Sequence, residues 1–346
     1  MFHPFLSIIA PTLNEEAALG PLLEDVARQR GVEWEGIVAD GGSEDGTRSL
    51  AADRENWRWL DAPRGRGAQL NAGARLARGE WLLFLHADSR LTSPTLLADA
   101  LHALEQARAE TGNPRIAGHF PLRFIRRQPR SDTPGEDFSF RLHEAKTRLN
   151  RRGCLNGDQG MLLSRSTFDA LGGFDESLPF LEDQTLADRL FDEGGAWIAL
   201  PGRIWSSARR FESEGMRQRM ILAAVLMGLR EAGVREFLEQ APGLYREQKQ
   251  TGRLRLTPFR QTIQRLNAEA PPAERRRRWR AVGRYVRRNA WQLFFARDVR
   301  RGSATESEAR WLAFHDRWFA PAFEAPWADG LTALGTRLWF EWGFRD

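Results

Sequence analysis

The stretch Trp81-Leu82-Leu83-Phe84-Leu85-His86-Ala87-Asp88-Ser89 limits the fold more than any other part of the chain. Five apolar residues run straight into a short polar end, between Gly79 and Pro94. A continuous apolar run of this length reads as a buried central strand. In open α/β sheets ligands bind at the carboxyl ends of the strands. Asp88 therefore stands where a carboxylate can meet a ligand or a metal. The ordinary alternative is a cap for the helix expected from Pro94.

The flanking segments point to the same class. Leu6-Ser7-Ile8-Ile9-Ala10 reads as a short strand stopped by Pro11, and Asn14 is placed to cap a helix carrying Leu19, Leu22, Leu23 and Val26. Ile37-Val38-Ala39 reads as a second strand. It ends in Asp40-Gly41-Gly42-Ser43-Glu44-Asp45-Gly46-Thr47, where adjacent glycines let the backbone approach a ligand closely. A third strand holds Leu60, followed by Pro63-Arg64-Gly65-Arg66-Gly67 and a helix through Leu70, Ala74 and Leu76. The Gly-x-Gly of that loop lacks the third glycine of a dinucleotide fingerprint. Further on, a helix is expected from Pro94 to Arg108, a strand over Ile116 to Phe124 and a polar Pro/Gly-rich loop over 125–137, on an acceptor side or simply at the surface. A helix over Arg141 to Arg152 and a strand over Met161 to Ser164 complete the pattern. Strands alternating with helices at this spacing predict an α/β protein with a mostly parallel, Rossmann-like sheet flanked by helices.

Singly, the polar residues at these strand ends have ordinary explanations. Glu15 and Glu16 suit the first turn of a helix, Asp40 suits a turn, and Arg64 and Arg66 suit a solvated surface. Glu182 and Asp183 likewise suit a helix start. Together they place carboxylates and arginines at successive strand ends.

The constellation resembles the inverting GT-A glycosyltransferases of family 2 over about residues 5–232. The resemblance is carried by Pro11-Thr12-Leu13-Asn14-Glu15-Glu16, Asp40 to Thr47, Phe84-Leu85-His86-Ala87-Asp88, Leu171-Gly172-Gly173-Phe174-Asp175-Glu176 and Glu182-Asp183, in the family's order. The Leu-His-Ala-Asp and Gly157-Asp158-Gln159-Gly160 variants are most similar to a bacterial glycosyltransferase-like subgroup. The resemblance implies a nucleotide-diphosphate-sugar donor, by family frequency a UDP-sugar, and an acceptor hydroxyl it does not identify. Donor-binding residues would be Pro11, Thr12, Asn14, Glu15, Asp40, Gly41, Arg66, Ala87, Asp88 and Gly160. Of these, Thr12 and Glu15 would lie at the nucleoside, Asp40 at the base and Arg66 near the diphosphate. Expelling a diphosphate builds charge that a divalent cation, Mg²⁺ or Mn²⁺, can stabilise. The resemblance gives that cation to Asp88, with His86 as a second candidate ligand. It makes Asp183 the general base, with Glu182 as second choice, and puts Asp158, Gln159, Arg209 and Arg210 on the acceptor or diphosphate side. The chain departs from the family twice. His86 stands where the usual Asp-x-Asp has its first carboxylate, and no Gln-x-x-Arg-Trp follows Asp183, which argues against a polysaccharide synthase.

Charge sets the last third apart. Fifteen arginines between Arg253 and Arg301 face three acids there, so this segment is net +12 and the rest of the chain −7, against a total of +5. That segregation predicts a local anionic contact rather than a protein that coats nucleic acid. Met220 to Met227 is an apolar run too short to span a bilayer, and Pro271-Pro272 reads as a linker. From Arg275 a basic helix is expected, with Trp279, Val282, Val286, Ala290 and Leu293 on one stripe. It could lie on an anionic membrane surface over 275–301, or pack with the tryptophan-rich end. The expected division is a catalytic domain over 1–232 and a helical, basic extension over 233–346. No signal peptide or spanning segment is expected and Cys154 is a single cysteine, so the expected compartment is the cytosol, with peripheral attachment at the inner membrane face as an option. Two rivals remain. A nucleotidyltransferase would need a Gly-rich, lysine-bearing first loop that Pro11 to Glu16 lacks. A non-catalytic nucleotide-sugar-binding protein would use the basic helix to reach a membrane or nucleic acid.

Overall fold

The computed structural model describes residues 5–52, 54–127, 135–248, 252–303 and 305–344. Contacts divide the chain into two units, Met1–Ile125 with Glu144–Ser207, and Arg126–His143 with Ala208–Asp346. Residue 232, the expected boundary, lies inside the second unit. Of the loop expected over 125–137, residues 128–134 lie outside the described residues.

The first unit holds ten strands among its described residues: β1 Phe5–Thr12, β2 Glu33–Asp40, β3 Trp57–Asp61, β4 Trp81–Phe84, β5 Arg90–Leu91, β6 Ile116–His119, β7 Leu122–Ile125, β8 Met161–Ser164, β9 Ala196–Ala199 and β10 Ile204–Ser207. Seven form the main sheet in the order β3-β2-β1-β4-β8-β6-β9, and β5, β10 and β7 form a small second sheet. β1 to β4 run parallel, β9 is parallel to β6, and β8 is antiparallel to both its neighbours. This is the expected class, a mostly parallel sheet flanked by helices. Leu6, Ile8, Ile9, Leu82 and Leu83 are fully buried. Helices covering both faces of a parallel sheet account for the unbroken apolar runs of β1 and β4.

Several local expectations are corrected. β1 runs through Pro11 to Thr12, because its pairing with β4 ends at Ile9 and no ladder bond is needed from Pro11 on that side. The run expected as one strand over Ile116 to Phe124 breaks at Phe120-Pro121 into β6 and β7, which join different sheets. Asn14 is not the cap of the first helix, Glu16–Ala27. Its backbone turns left-handed at φ 55° and its polar groups are spent on the neighbouring loop. The helix expected over Arg141 to Arg152 runs Glu136–Lys146.

Taken by itself, the second unit is helical in its described residues. Pro272 is no linker but the first residue of the helix Pro272–Arg288, where a missing N–H costs nothing. That helix stops at Asn289 and a new one, Trp291–Arg300, begins, so the expected stripe does not continue through Ala290 to Leu293. No helix among the described residues is long and apolar enough to cross a membrane.

Candidate active site

Parallel register brings the carboxyl ends of β1, β2 and β4 to one edge of the main sheet. The loops after β1 and β2 are laced together there. Asn14 N–H donates to Ser43 Oγ at 2.8 Å, Glu44 N–H to Asn14 Oδ1 at 2.8 Å, and Glu15 N–H to Thr47 Oγ1 at 2.9 Å. Asp40 is the centre of this lacing and is 3% exposed. One of its oxygens accepts from Thr12 Oγ1 at 2.9 Å and from Ser43 Oγ, and the other accepts from the N–H groups of Gly42 at 2.9 Å and Ser43 at 2.7 Å. Burial pushes its carboxyl up, but these hydrogen bonds together hold it below the ordinary aspartate value. A carboxylate offers about four acceptor sites, and all four are engaged inside the protein. Gln69 completes the brace, donating to Thr12 O at 2.7 Å and Ala39 O at 2.8 Å.

Beyond β4 the chain leaves the sheet at Leu85, whose N–H still donates to Ile9 O at 3.0 Å, and turns so that Ser89 N–H reaches His86 O at 3.0 Å. Ala87 and Ser89 are buried, while His86 and Asp88 are half-buried. His86 faces the Gly157–Gln159 turn closely. A Cβ on Gly157 would fall 3.0 Å from His86 Nε2 and 3.2 Å from Asp183 Oδ2, so both side chains approach the backbone of this turn closely. Gly160 turns at φ 68°, and a Cβ there would meet Leu85 Cδ2 at 2.9 Å.

Arg66 opens the helix Arg66–Leu76 and forms an ion pair with buried Glu182 at 3.1 Å. Its guanidinium is held above its ordinary pKa by Glu182 first, against the pull of burial, and then by Asp183, Asp158 and Asp88. Four acids from three separate loops thus share one arginine. Glu182 is pushed up, by burial first, with Arg66 opposing and Asp183 adding to the rise. Asp183 is half-buried, and its carboxylate accepts the N–H groups of Gly157 and of Gln184, the latter at 2.7 Å. Arg66, His86, Gly157, Glu182 and Asp183 line one crevice, floored by Leu70, Phe84 and Met161. Leu181, at φ 67°, aims the start of the helix Glu182–Asp192.

The expected residues therefore form two neighbouring clusters in the first unit. Pro11, Thr12, Asn14, Glu15, Asp40 and Gly41 build the laced loops. Arg66, His86, Glu182 and Asp183 line the charged crevice, and Asp88 and Asp158 act on Arg66 electrostatically. Gln159 lies beneath it, fully buried, with its amide nitrogen donating to Cys154 O at 2.7 Å. Arg209 and Arg210 begin a helix of the second unit. Two residues of structural weight are new. Besides Gln69, Asn71 clamps the Gly172-Gly173-Phe174 turn, donating to Phe174 O at 2.8 Å and accepting from Phe174 N–H at 2.9 Å. Both are buried amides on a helix that carries mostly apolar inward positions, and that mismatch is the signal that could have marked them.

Among the described residues no three His, Cys, Asp or Glu side chains gather into a metal site of their own. A cation here would draw on Asp88 and, two residues earlier, His86, and would complete its shell with oxygens from a ligand. Such a set fits a hard divalent cation shared with a diphosphate.

Residues 7–169, just under half of the chain, match the family described as glycosyl transferase family 2. A PGL/p-HBAD biosynthesis glycosyltransferase of Mycobacterium bovis (strain BCG / Pasteur 1173P2) is 40% identical over 104 residues, 28% of this chain and 41% of that protein. An uncharacterized glycosyltransferase of Haemophilus influenzae is 26% identical over 200 residues, 54% of this chain and 62% of that protein. The chain thus spans less than two thirds of either relative. Among solved structures, a mannosyltransferase from Pyrobaculum calidifontis, in complex with GDP-Man and Mn²⁺, superposes with a TM-score of 0.46 at 18% identity. That alignment covers 98% of this chain and 88% of the other.

Proposed function

We propose that this protein is a glycosyltransferase that moves a sugar from a nucleotide-diphosphate donor, a UDP-sugar by preference, to an acceptor hydroxyl with inversion at the anomeric carbon. The observation that carries the reading is the gathering of Asp88, Asp158, Glu182 and Asp183 around Arg66 at the strand ends of a family 2 domain. The nucleoside end of the donor rests on the laced loops after β1 and β2, and Asp40 serves it by holding those loops in shape. Arg66 supplies positive charge toward the diphosphate. Asp88, with His86, would hold a divalent cation that, when bound, acts as a Lewis acid toward the departing diphosphate. Asp183 takes the acceptor's hydroxyl proton as the oxygen bonds to the anomeric carbon. The bond from that carbon to the diphosphate oxygen breaks on the opposite face, and its electron pair leaves with the diphosphate. Half-buried Asp183 suits this work better than Glu182, which is buried against Arg66.

Water can replace the unknown acceptor in a direct test. Incubation with UDP- and GDP-sugars plus Mn²⁺, followed by proton NMR, should show slow release of the free sugar, first in the anomeric configuration opposite to the donor's. Release with retained configuration would overturn the inverting mechanism. Failure of every nucleotide and nucleotide sugar to bind would leave a non-catalytic protein.

A further inference from the structure

The C-terminal helix Pro326–Gly343 is apolar on two sides. One side buries Ala328, Ala333 and Phe340. It packs on the helix Pro272–Arg288 so closely that a Cβ on Gly283 would lie 2.5 Å from Ala333 N, and Trp279 meets Phe340 ring to ring at 5.6 Å. The other side leaves Trp327, Leu331, Leu334, Leu338 and Trp342 between 53% and 74% exposed. Their spacings of four, three, four and four residues put them on one stripe. Isolated exposed leucines are ordinary on a surface, but a contiguous row with a tryptophan at each end marks an interaction face.

The arginines beside it divide into two sets. Arg278 pairs with Glu274, Arg284 and Arg287 with Asp329 at 3.2 and 2.8 Å, and Arg288 with Glu231. Among the described residues Arg275, Arg276, Arg280 and Arg337 pair with no carboxylate, and all four line one groove of about 750 Å³. Glu341, the acid in that groove, is already engaged by Gln264 and Arg260. Trp279 and Phe340 also line an adjoining, largely apolar groove of about 580 Å³.

We propose that this face of the second unit seats on the surface of a bilayer containing anionic phospholipid. The charge and the apolar surface fit one partner only if they are met together. Arginine forks match phosphate oxygens. Tryptophan prefers the headgroup level, where its ring is half in apolar surroundings and its N–H is wet. The leucine row, parallel to the surface, reaches the acyl boundary, as in helices that lie in the interface plane. Nucleic acid would meet the arginines but leave the leucine row in water. The contact expected over 275–301 from sequence thus keeps Arg275, Arg276 and Arg280 but takes its apolar row from the C-terminal helix, while Trp279 and Val282 line the groove between the helices.

The test is flotation of the full chain with vesicles of phosphatidylcholine, with and without phosphatidylglycerol. The protein should float with the anionic vesicles and remain behind with the neutral ones, and its tryptophan emission should be quenched by brominated acyl chains. Each arginine near the surface is worth about fivefold in partitioning, so Arg276→Glu/Arg280→Glu should reduce binding at least about twentyfold. Leu331→Glu/Leu338→Glu should reduce it as strongly. All four positions are exposed, and an unchanged circular dichroism melt verifies that the variants fold. Equal binding to neutral and anionic vesicles overturns the proposal, as does flotation that survives both double variants. Self-association that Leu331→Glu/Leu338→Glu abolishes, with no vesicle binding, would assign the face to a second copy instead and also overturn it.

Discussion

Asp183 and Glu182 are chemically alike neighbours that the fold puts to different uses. Both line the crevice, but Glu182 is almost wholly buried and paired with Arg66, whereas Asp183 is half-buried. Asp183→Asn keeps the size and one oxygen acceptor but cannot take a proton. Turnover should fall about 10²–10⁴-fold with donor affinity little changed, and a rate near wild type would remove Asp183 from the mechanism. His119, paired on β6 with Met161 of β8, sets a second prediction. It is fully buried, with Nε2 3.1 Å from Thr147 O, and burial lowers its pKa from 6.5 to about 4. The unfolded chain therefore takes up a proton that the folded chain refuses. The stabilisation is complete above pH 6.5 and is lost as pH falls towards 4, by on the order of 3 kcal/mol over the window. Glu182, whose carboxyl is pushed up by burial, works in the opposite direction over part of the same range. The informative measurement is the difference between wild type and His119→Gln in urea unfolding at pH 7 and pH 4. The variant should lose less stability on acidification, and parallel losses would reject the role of His119. The Arg66–Glu182 pair was not legible in the sequence, because nothing local links residues so far apart in the chain.

At the scale of elements, the loops after β1 and β2 depend on one carboxylate. Asp40 receives two hydroxyls and two backbone N–H groups. In Asp40→Asn an amide N–H₂ must replace one acceptor and confront donors. The expected cost is about 1–3 kcal/mol in unfolding free energy, together with weaker nucleotide binding because the loops lose their shape. Denaturant unfolding and nucleotide titration check both, and a variant with normal stability but no binding would show that Asp40 contacts the nucleotide itself. The strands of this region could be read from the chain because a parallel sheet covered on both faces demands unbroken apolar runs, which Ile8-Ile9-Ala10 and Trp81 to Leu85 display. The acids at their ends were legible because strand ends are where ligands meet such sheets. The split into β6 and β7 was not, since apolar alternation continues past Phe120 and only tertiary pairing sends Pro121 onwards into another sheet. The break at Asn289 escaped for the same reason, as the apolar stripe of the basic helix runs on through a residue that a helix can tolerate. Gln69 and Asn71 look like ordinary helix amides until the loops they clamp are known.

For the whole molecule, stability is linked to whatever binds the folded state and not the unfolded one. The candidate cation site draws on too few protein ligands to be complete on its own, since no three metal-binding side chains gather among the described residues. Cation and nucleotide should therefore each complete the other's site, and their effects on thermal stability should exceed the sum. Mn²⁺ alone should move the melting temperature little. A nucleoside diphosphate at 100 times its Kd stabilises by about 2.7 kcal/mol, and adding Mn²⁺ should tighten its binding and raise the melting temperature further. Chelation should then lower the melting temperature of the nucleotide-bound protein while leaving the nucleotide-free protein unchanged. Asp88→Ala should abolish the cation's contribution and keep part of the nucleotide's, because Arg66 and the laced loops remain. If Mn²⁺ alone stabilised the protein as much as the pair does, the site would be complete without a diphosphate. The coupling between donor and cation, on which the proposed chemistry rests, would then be absent.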